Sequence, residues 1–115
     1  MADCIFCRIV SGEIPATIVA RTPDAVAFRD LNPQAPTHVL VVPTKHLAGI
    51  TDADDDEGER ILGRTIRLAI QVGKSLGLSE GGYRLVMNQG NDGGQSVFHL
   101  HVHLLGGRRL TWPPG

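Results

Sequence analysis

Histidines occupy alternate positions of the run FHLHVHLLGG, residues 98–107. An extended strand turns successive side chains to opposite faces. His99, His101 and His103 would then share one face, with about 6.6 Å between neighbours, and Phe98, Leu100, Val102 and Leu104 the other. Three kinds of chemistry are open to such a row. It can be a polar face turned to solvent. It can bind metal, since His-x-His pairs on strands ligate zinc, although the roughly 13 Å between His99 and His103 keeps one ion from taking all three. It can also attack phosphorus, because a neutral imidazole is a nucleophile near neutral pH. If a backbone carbonyl holds its Nδ1–H, the Nε2 lone pair faces the substrate. His101, in the middle, suits this best: one neighbour can orient it and the other can hydrogen-bond a phosphate or leaving group.

The loop before that run, QGNDGGQS, fits an anion. Gly93 and Gly94 let backbone N–H groups approach closely, and Ser96 adds a hydroxyl. It lacks the lysine of a Walker loop, and taken alone such a loop is more often just a turn. Near the other end, Cys4 and Cys7 are spaced as a redox couple, as half a zinc site or as two unligated thiols. No strand precedes the pair, which disfavours a thioredoxin-like motif, and two cysteines make no disulfide framework. His46, in PTKHL, reads as a surface loop residue.

The elements that must position these residues follow from pattern. CIFCRIVSGEIP reads as a short helical turn closed by Pro15, and TIVARTPDAVAFRD as two short strands around Pro23-Asp24. THVLVVP is a β-branched strand after the NPQAP loop. Connections this short favour antiparallel neighbours. A long helix follows TDADDDEGER, with Thr51 or Asp52 as its cap. Ile61, Leu62, Ile66, Ala69, Ile70, Gly73 and Leu76 form its buried stripe, and Lys74 and Gly77 mark its end. GYRLVMN and FHLHVHLLGG supply the last two strands. The expected architecture is α+β: a five-stranded antiparallel sheet, one long helix and a short N-terminal helix.

A chain of 115 residues that is 42% hydrophobic and 20% charged fits one domain over residues 1–115, small enough to gain from pairing with a second copy. With a net charge of −1 and no basic block longer than Arg108-Arg109, it lacks the footprint of a nucleic-acid binder. MADCIFCRIV carries an acidic residue where a signal peptide needs positive charge. No apolar run approaches the ~18 residues of a membrane span, so no membrane contact and a cytoplasmic location are expected.

HLHVHLL resembles the His-φ-His-φ-His-φ-φ signature of the histidine triad superfamily. GGQSVFHLHVHLLGGR with the ending WPPG is similar to its Hint branch, the nucleoside phosphoramidases. DLNPQAPTHVLVVPTKH, GYRLVMNQG and the long helix extend the likeness over nearly the whole chain. The resemblance implies a homodimer with one ten-stranded sheet. It also implies a two-step hydrolysis of the P–N bond in purine nucleoside 5′-phosphoramidates of the AMP-lysine or AMP-NH2 type, with AMP or GMP as ligands. His101 would attack the α-phosphorus, giving a nucleotidyl-histidine, and water would release the nucleoside monophosphate.

The same resemblance puts His103 on the α-phosphate, with His99 as the third member of the triad. Ser96, Gly94 and Gln95 fall on phosphate oxygens and the leaving nitrogen, Asn88 at the ribose-phosphate side, and Asp30 on the ribose hydroxyls. Ile5, Phe6, Phe28 and Leu31 would wall the base, positions that otherwise read as core packing. Bacterial-type members hold a structural zinc, which here implies Cys4, Cys7, His38 and His99, pinning the N-terminal turn to the sheet. Trp112, Pro113 and Pro114 would reach the partner's active site.

Within the superfamily, His103 rather than Gln favours hydrolysis over transfer to a sugar phosphate. The chain ends at Gly115 without the zinc finger of the DNA-repair branch, and the dinucleoside polyphosphate branch lacks WPPG. Two alternatives accompany the enzyme reading. One is a nucleotide-sensing module with little turnover, or a hydrolase of dinucleoside polyphosphates or ADP. The other is a zinc-binding structural protein whose histidines are chiefly ligands.

Overall fold

Thr37–Pro43, the β-branched run, forms the central strand (β3) of the sheet in the computed structural model, which describes residues 4–115. The acidic residue read above against a signal peptide, Asp3, lies outside the described residues. Before β3 come a short helix, Ile5–Val10 (α1), and two strands, Ile18–Arg21 (β1) and Ala25–Arg29 (β2). After it come a 3-10 turn at Ile50–Ala53, a helix over Asp56–Ser75 (α2) and the strands Tyr83–Val86 (β4) and Val102–Gly106 (β5). The sheet order is β1-β2-β3-β5-β4 and every neighbouring pair is antiparallel, as the short connections require.

β3 is buried on both faces. Val39 and Val41 pack with Leu68, Ala69 and Val72 of α2, whereas Leu40 and Val42 pack with Phe6 and Ile9 of α1. Two-sided burial accounts for its unbroken hydrophobic run, where a half-exposed strand would alternate.

Asp55 caps α2, its carboxylate accepting the Gly58 N–H at 2.7 Å, and Asp56, Glu57 and Glu59 place negative charge at the positive end of the helix dipole. The expected caps, Thr51 and Asp52, lie instead in the 3-10 turn. The buried stripe is also rotated from the expected one. It runs through Gly58, Thr65, Leu68, Ala69, Val72 and Gly73, while Ile70 is 48% exposed and Ile61, Leu62, Ile66 and Leu76 are half-buried. Small residues set this rotation. A Cβ on Gly58 would lie 2.4 Å from the Ala53 Cα, and one on Gly73 would lie 3.2 Å from the Tyr83 ring. Thr65 can be buried because its hydroxyl donates to the Ile61 carbonyl at 2.7 Å.

The histidine strand is shorter than its sequence pattern. β5 begins at Val102, opposite Val41, and residues 99–101 precede the ladder although β3 runs on to Pro43. Leu100 is held another way, its N–H donating to the Leu47 carbonyl at 2.7 Å. Leu100, Val102 and Leu104 are buried as expected, but Phe98 is 52% exposed.

Candidate functional site

His101 is buried just before β5, with its Nδ1 2.7 Å from the His99 backbone carbonyl. A carbonyl only accepts, so Nδ1 carries the proton and the Nε2 lone pair is free. Burial lowers the pKa of this ring, outweighing the carbonyl bond and the Asp30 charge that favour protonation. The imidazole is therefore kept neutral and nucleophilic. Phe6 of α1 packs edge-on against it, with ring centroids 5.1 Å apart.

His103 takes the opposite tautomer. The Gln34 N–H donates to His38 Nδ1 at 3.0 Å, so the proton of a neutral His38 sits on Nε2. That Nε2 lies 2.9 Å from His103 Nδ1 and 3.4 Å from Asp30 Oδ2. His103 Nδ1 thus accepts, and its Nε2–H is a donor. Burial first, then the neighbouring His101 and His38, push the His103 pKa down to about 4. Burial lowers His38 too, against the pull of Asp30, so the His38–Asp30 contact joins a neutral ring to a carboxylate. Side by side stand an imidazole with a free lone pair and one with a free N–H.

Both open into a cleft of about 290 Å³. Ile5, Phe6, Phe28, Asp30, Leu31 and Ser96, all expected at a nucleotide site, line it with His101 and His103. Ile9, Ile14, Pro15, Ala16, Leu40 and Val97 complete the apolar wall. Sequence reasoning missed these, since each also reads as core or turn; the signal available was the IPA segment, Ile14 to Ala16, a short turn after α1. Leu31, 98% exposed, and Ile5, 47% exposed, are apolar side chains at the rim of the cleft.

Three expected contacts do not face the cleft as free groups. Gln95 is buried: its Oε1 accepts the Gly90 N–H at 2.9 Å, and its Nε2 donates to the carbonyls of Ala48 at 2.7 Å and Val97 at 3.1 Å. Its own N–H goes to the Gly90 carbonyl, that of Gly94 to the Asn91 carbonyl, and the Asn88 amide to the Gly93 carbonyl at 2.6 Å. The Gly94 and Gln95 amides are thus taken within the loop, and the loop residue that lines the cleft is Ser96.

The second cluster lies on the other side of His99. The Sγ atoms of Cys4 and Cys7 and the Nδ1 atoms of His46 and His99 lie within 4.8 Å of one another. Cys4–His99 is 3.2 Å, Cys7–His46 3.4 Å, Cys7–His99 3.5 Å and His46–His99 3.1 Å. Tetrahedral zinc with ordinary Zn–N and Zn–S bonds has edges of roughly 3.3–3.8 Å between ligand atoms, close to this set. His99 Nε2 lies 2.9 Å from the Pro43 carbonyl, which fixes the proton there and leaves Nδ1 as a ligand. Two thiols and two imidazoles fit a closed, structural zinc site. Burial and the neighbouring Cys4 thiol raise the Cys7 pKa, an effect a divalent cation reverses by taking the thiolate.

His46, rather than His38, is the fourth member. His38 pairs with Leu105 across β3 and β5, six residues of nearly extended chain from His99, or roughly 20 Å. His46 lies in the loop that leaves β3 beside His99, and Leu100 and Gln95 hold that loop through the Leu47 and Ala48 carbonyls. Asp30, His38 and His103 also lie within 4.8 Å of one another. There the Gln34 N–H keeps the His38 proton on Nε2, so this group is a hydrogen-bond relay.

A family model described as HIT domain matches residues 11–110. The chain is 50% identical to a 14 kDa zinc-binding protein of Zea mays, over 96% of this chain and 87% of that protein. It is 47% identical to a 14 kDa zinc-binding protein of Brassica juncea, over 98% of this chain and 100% of that protein. A solved structure of a HIT family hydrolase from Legionella pneumophila Philadelphia 1 superposes with a TM-score of 0.94 at 51% identity, covering 98% of this chain and 100% of that one. The alternating histidines, the antiparallel sheet that frames them and a family match over residues 11–110 lead to one assignment: the chain belongs to the HIT domain family.

Proposed function

We propose that this protein is a nucleotide-binding hydrolase that cleaves the P–N bond of purine nucleoside 5′-phosphoramidates. The observation that carries the reading is the pair of opposite tautomers at the cleft: His101 held through Nδ1 by the His99 carbonyl, beside His103 with its Nε2–H free. The His101 Nε2 lone pair attacks the α-phosphorus and the P–N bond breaks, the departing nitrogen taking a proton from solvent water and leaving as the amine. The His103 Nε2–H and the Ser96 hydroxyl donate to the phosphate oxygens, where negative charge develops. Water then attacks the same phosphorus, the P–Nε2 bond breaks, and the nucleoside monophosphate is released.

Asp30, which lines the cleft, suits the ribose hydroxyls: Oδ1 accepts the Asn32 N–H and Oδ2 lies 3.4 Å from His38 Nε2, and each oxygen has a further lone pair to offer. Phe6, Phe28, Ile5 and Leu31 suit a purine face. Cys4, Cys7, His46 and His99 hold a structural zinc, whose part is to cross-link α1 to the sheet. The zinc-binding relatives in Zea mays and Brassica juncea and the hydrolase name of the Legionella structure support both halves of the reading.

Two copies pair into a ten-stranded sheet. β4, paired with β5 on one side, is an edge strand on the other, and the exposed Ile70 on α2 offers apolar surface for the partner. The enzyme works in the cytoplasm; no described helix is long and apolar enough to cross a membrane.

The test is steady-state hydrolysis of a fluorogenic adenosine 5′-phosphoramidate by wild type and His101→Ala. Turnover lost in the variant, with AMP still bound, is the expected result. Wild-type protein that binds AMP without turnover would instead be a nucleotide sensor.

A further inference from the structure

The zinc-type cluster and the cleft share a residue and a helix. His99 is fully buried and held at three points: Nδ1 in the cluster, Nε2 on the Pro43 carbonyl, and its own carbonyl on the Nδ1–H of His101. The segment that carries it, residues 98–101, lies outside the strand ladder, so β pairing does not fix it. Its remaining backbone tie is the Leu100 N–H on the Leu47 carbonyl, and Leu47 adjoins the cluster's His46.

The helix tells the same story from the other side. α1 has six residues, too few to stand alone, with Cys4 as its N-cap and Cys7 in its first turn. Between the two cysteines is Phe6, packed edge-on against His99 at 5.9 Å, His101 at 5.1 Å and Phe28 at 5.5 Å between ring centroids. Closing the cluster ties down α1, the loop at His46 and the segment 98–101, and these are the pieces that bracket the nucleophile.

We propose that the Cys4–Cys7–His46–His99 cluster positions the nucleophile and the Phe6 wall of the cleft, so that metal and nucleotide bind cooperatively. His99 is here a positioning residue that acts on His101 through its carbonyl. This rests on the reading that a nucleotide occupies the cleft. Linkage makes the effect reciprocal: if bound metal fixes the cleft for the nucleotide, bound nucleotide must tighten the hold on the metal by the same factor.

The experiment titrates the zinc-loaded full chain with 4-(2-pyridylazo)resorcinol to equilibrium, with and without saturating AMP. Binding of AMP is checked by calorimetry on the same sample. A zinc Kd lower by about five-fold or more in the presence of AMP is expected. AMP's own weak chelation would favour zinc loss, so it cannot imitate this result. AMP that binds while the zinc Kd stays unchanged overturns the coupling and leaves the proposed function standing. AMP that does not bind removes the proposed function and this inference together.

A second readout is the ¹⁵N spectrum of the His101 ring. The zinc-loaded protein should show one tautomer, with the proton on Nδ1, and Phe6→Leu should lose part of the AMP effect while retaining zinc. A mixture of His101 tautomers in the loaded protein would overturn the positioning role of His99.

Discussion

His38 Nε2 lies 2.9 Å from His103 Nδ1, two residues on neighbouring strands with the proton between their rings assigned by a third group, the Gln34 N–H. His103 is thereby turned into a donor without any charge being placed in the cleft. His38→Ala frees the His103 tautomer and strands the Gln34 N–H. A drop in kcat/KM for the phosphoramidate of about tenfold or more is expected, with partial recovery in His38→Gln, whose amide can still donate. Equal losses in the two variants would show that packing, rather than the donated proton, is what matters.

The placement of His46 and His38 separates metal binding from catalysis. His46→Ala should lose zinc on dialysis against a mild chelator, while His38→Ala retains one ion per chain, as read by elemental analysis. Zinc lost from His38→Ala but kept by His46→Ala would reverse the ligand assignment.

Acid acts on His103 in a direction set by its pKa of about 4 in the fold, depressed by burial and then by His101 and His38. The unfolded chain, titrating near 6.5, takes up the proton first as pH falls. This residue's share of stability is complete above about pH 6.5 and is lost progressively toward pH 4, and His38 moves in the same direction. Thermal melts from about pH 7.5 to about pH 4.5 should fall less steeply in His103→Gln than in wild type. Equal slopes would locate the acid sensitivity elsewhere.

Gln95 predicts a stability defect. Gln95→Ala leaves the Gly90 N–H and the Ala48 and Val97 carbonyls without their partner, at a cost of about 2–4 kcal/mol. The melting temperature should fall while the folded fraction binds AMP nearly as wild type. A stable variant with lost AMP affinity would return Gln95 to the ligand.

Two glycines of α2 should respond oppositely to alanine. Gly63 has open space around it, and Gly63→Ala should stabilise by up to about 1 kcal/mol through helix propensity. Gly58→Ala meets the Ala53 backbone and should destabilise by about 1–3 kcal/mol. Denaturant titration of the pair reads both signs, and a stabilised Gly58→Ala would disprove the close approach of helix and 3-10 turn.

Periodicity made the sheet, the long helix and the histidine face legible, because each depends on which residues recur at two or about 3.6 positions. The rotation of α2 was not, since small residues on one face mean nothing until a neighbour closes on them. His46 was hidden by a loop, whose path depends on contacts with Leu100 and Gln95 that no local pattern records. A clue was present nonetheless. Pairing THVLVVP antiparallel with the histidine strand brings His38 beside His103, which takes it away from the cysteines and leaves His46 for them. The glycine-rich loop misled for a related reason. Its amides are suited to an anion, but those of Gly90, Gly94 and Gln95 are taken by the Gln95 side chain and the loop's own carbonyls.

Loops ordinarily absorb insertions and deletions over evolution because little depends on their length. The stretch from Thr44 to Gly49 has no such freedom. It must count out the residues from Pro43, whose carbonyl holds His99, to His46 in the cluster, and then to the carbonyls that hold Leu100 and Gln95. Adding or removing a single residue there would put every one of these contacts out of step, so this surface segment should drift in sequence yet keep its length.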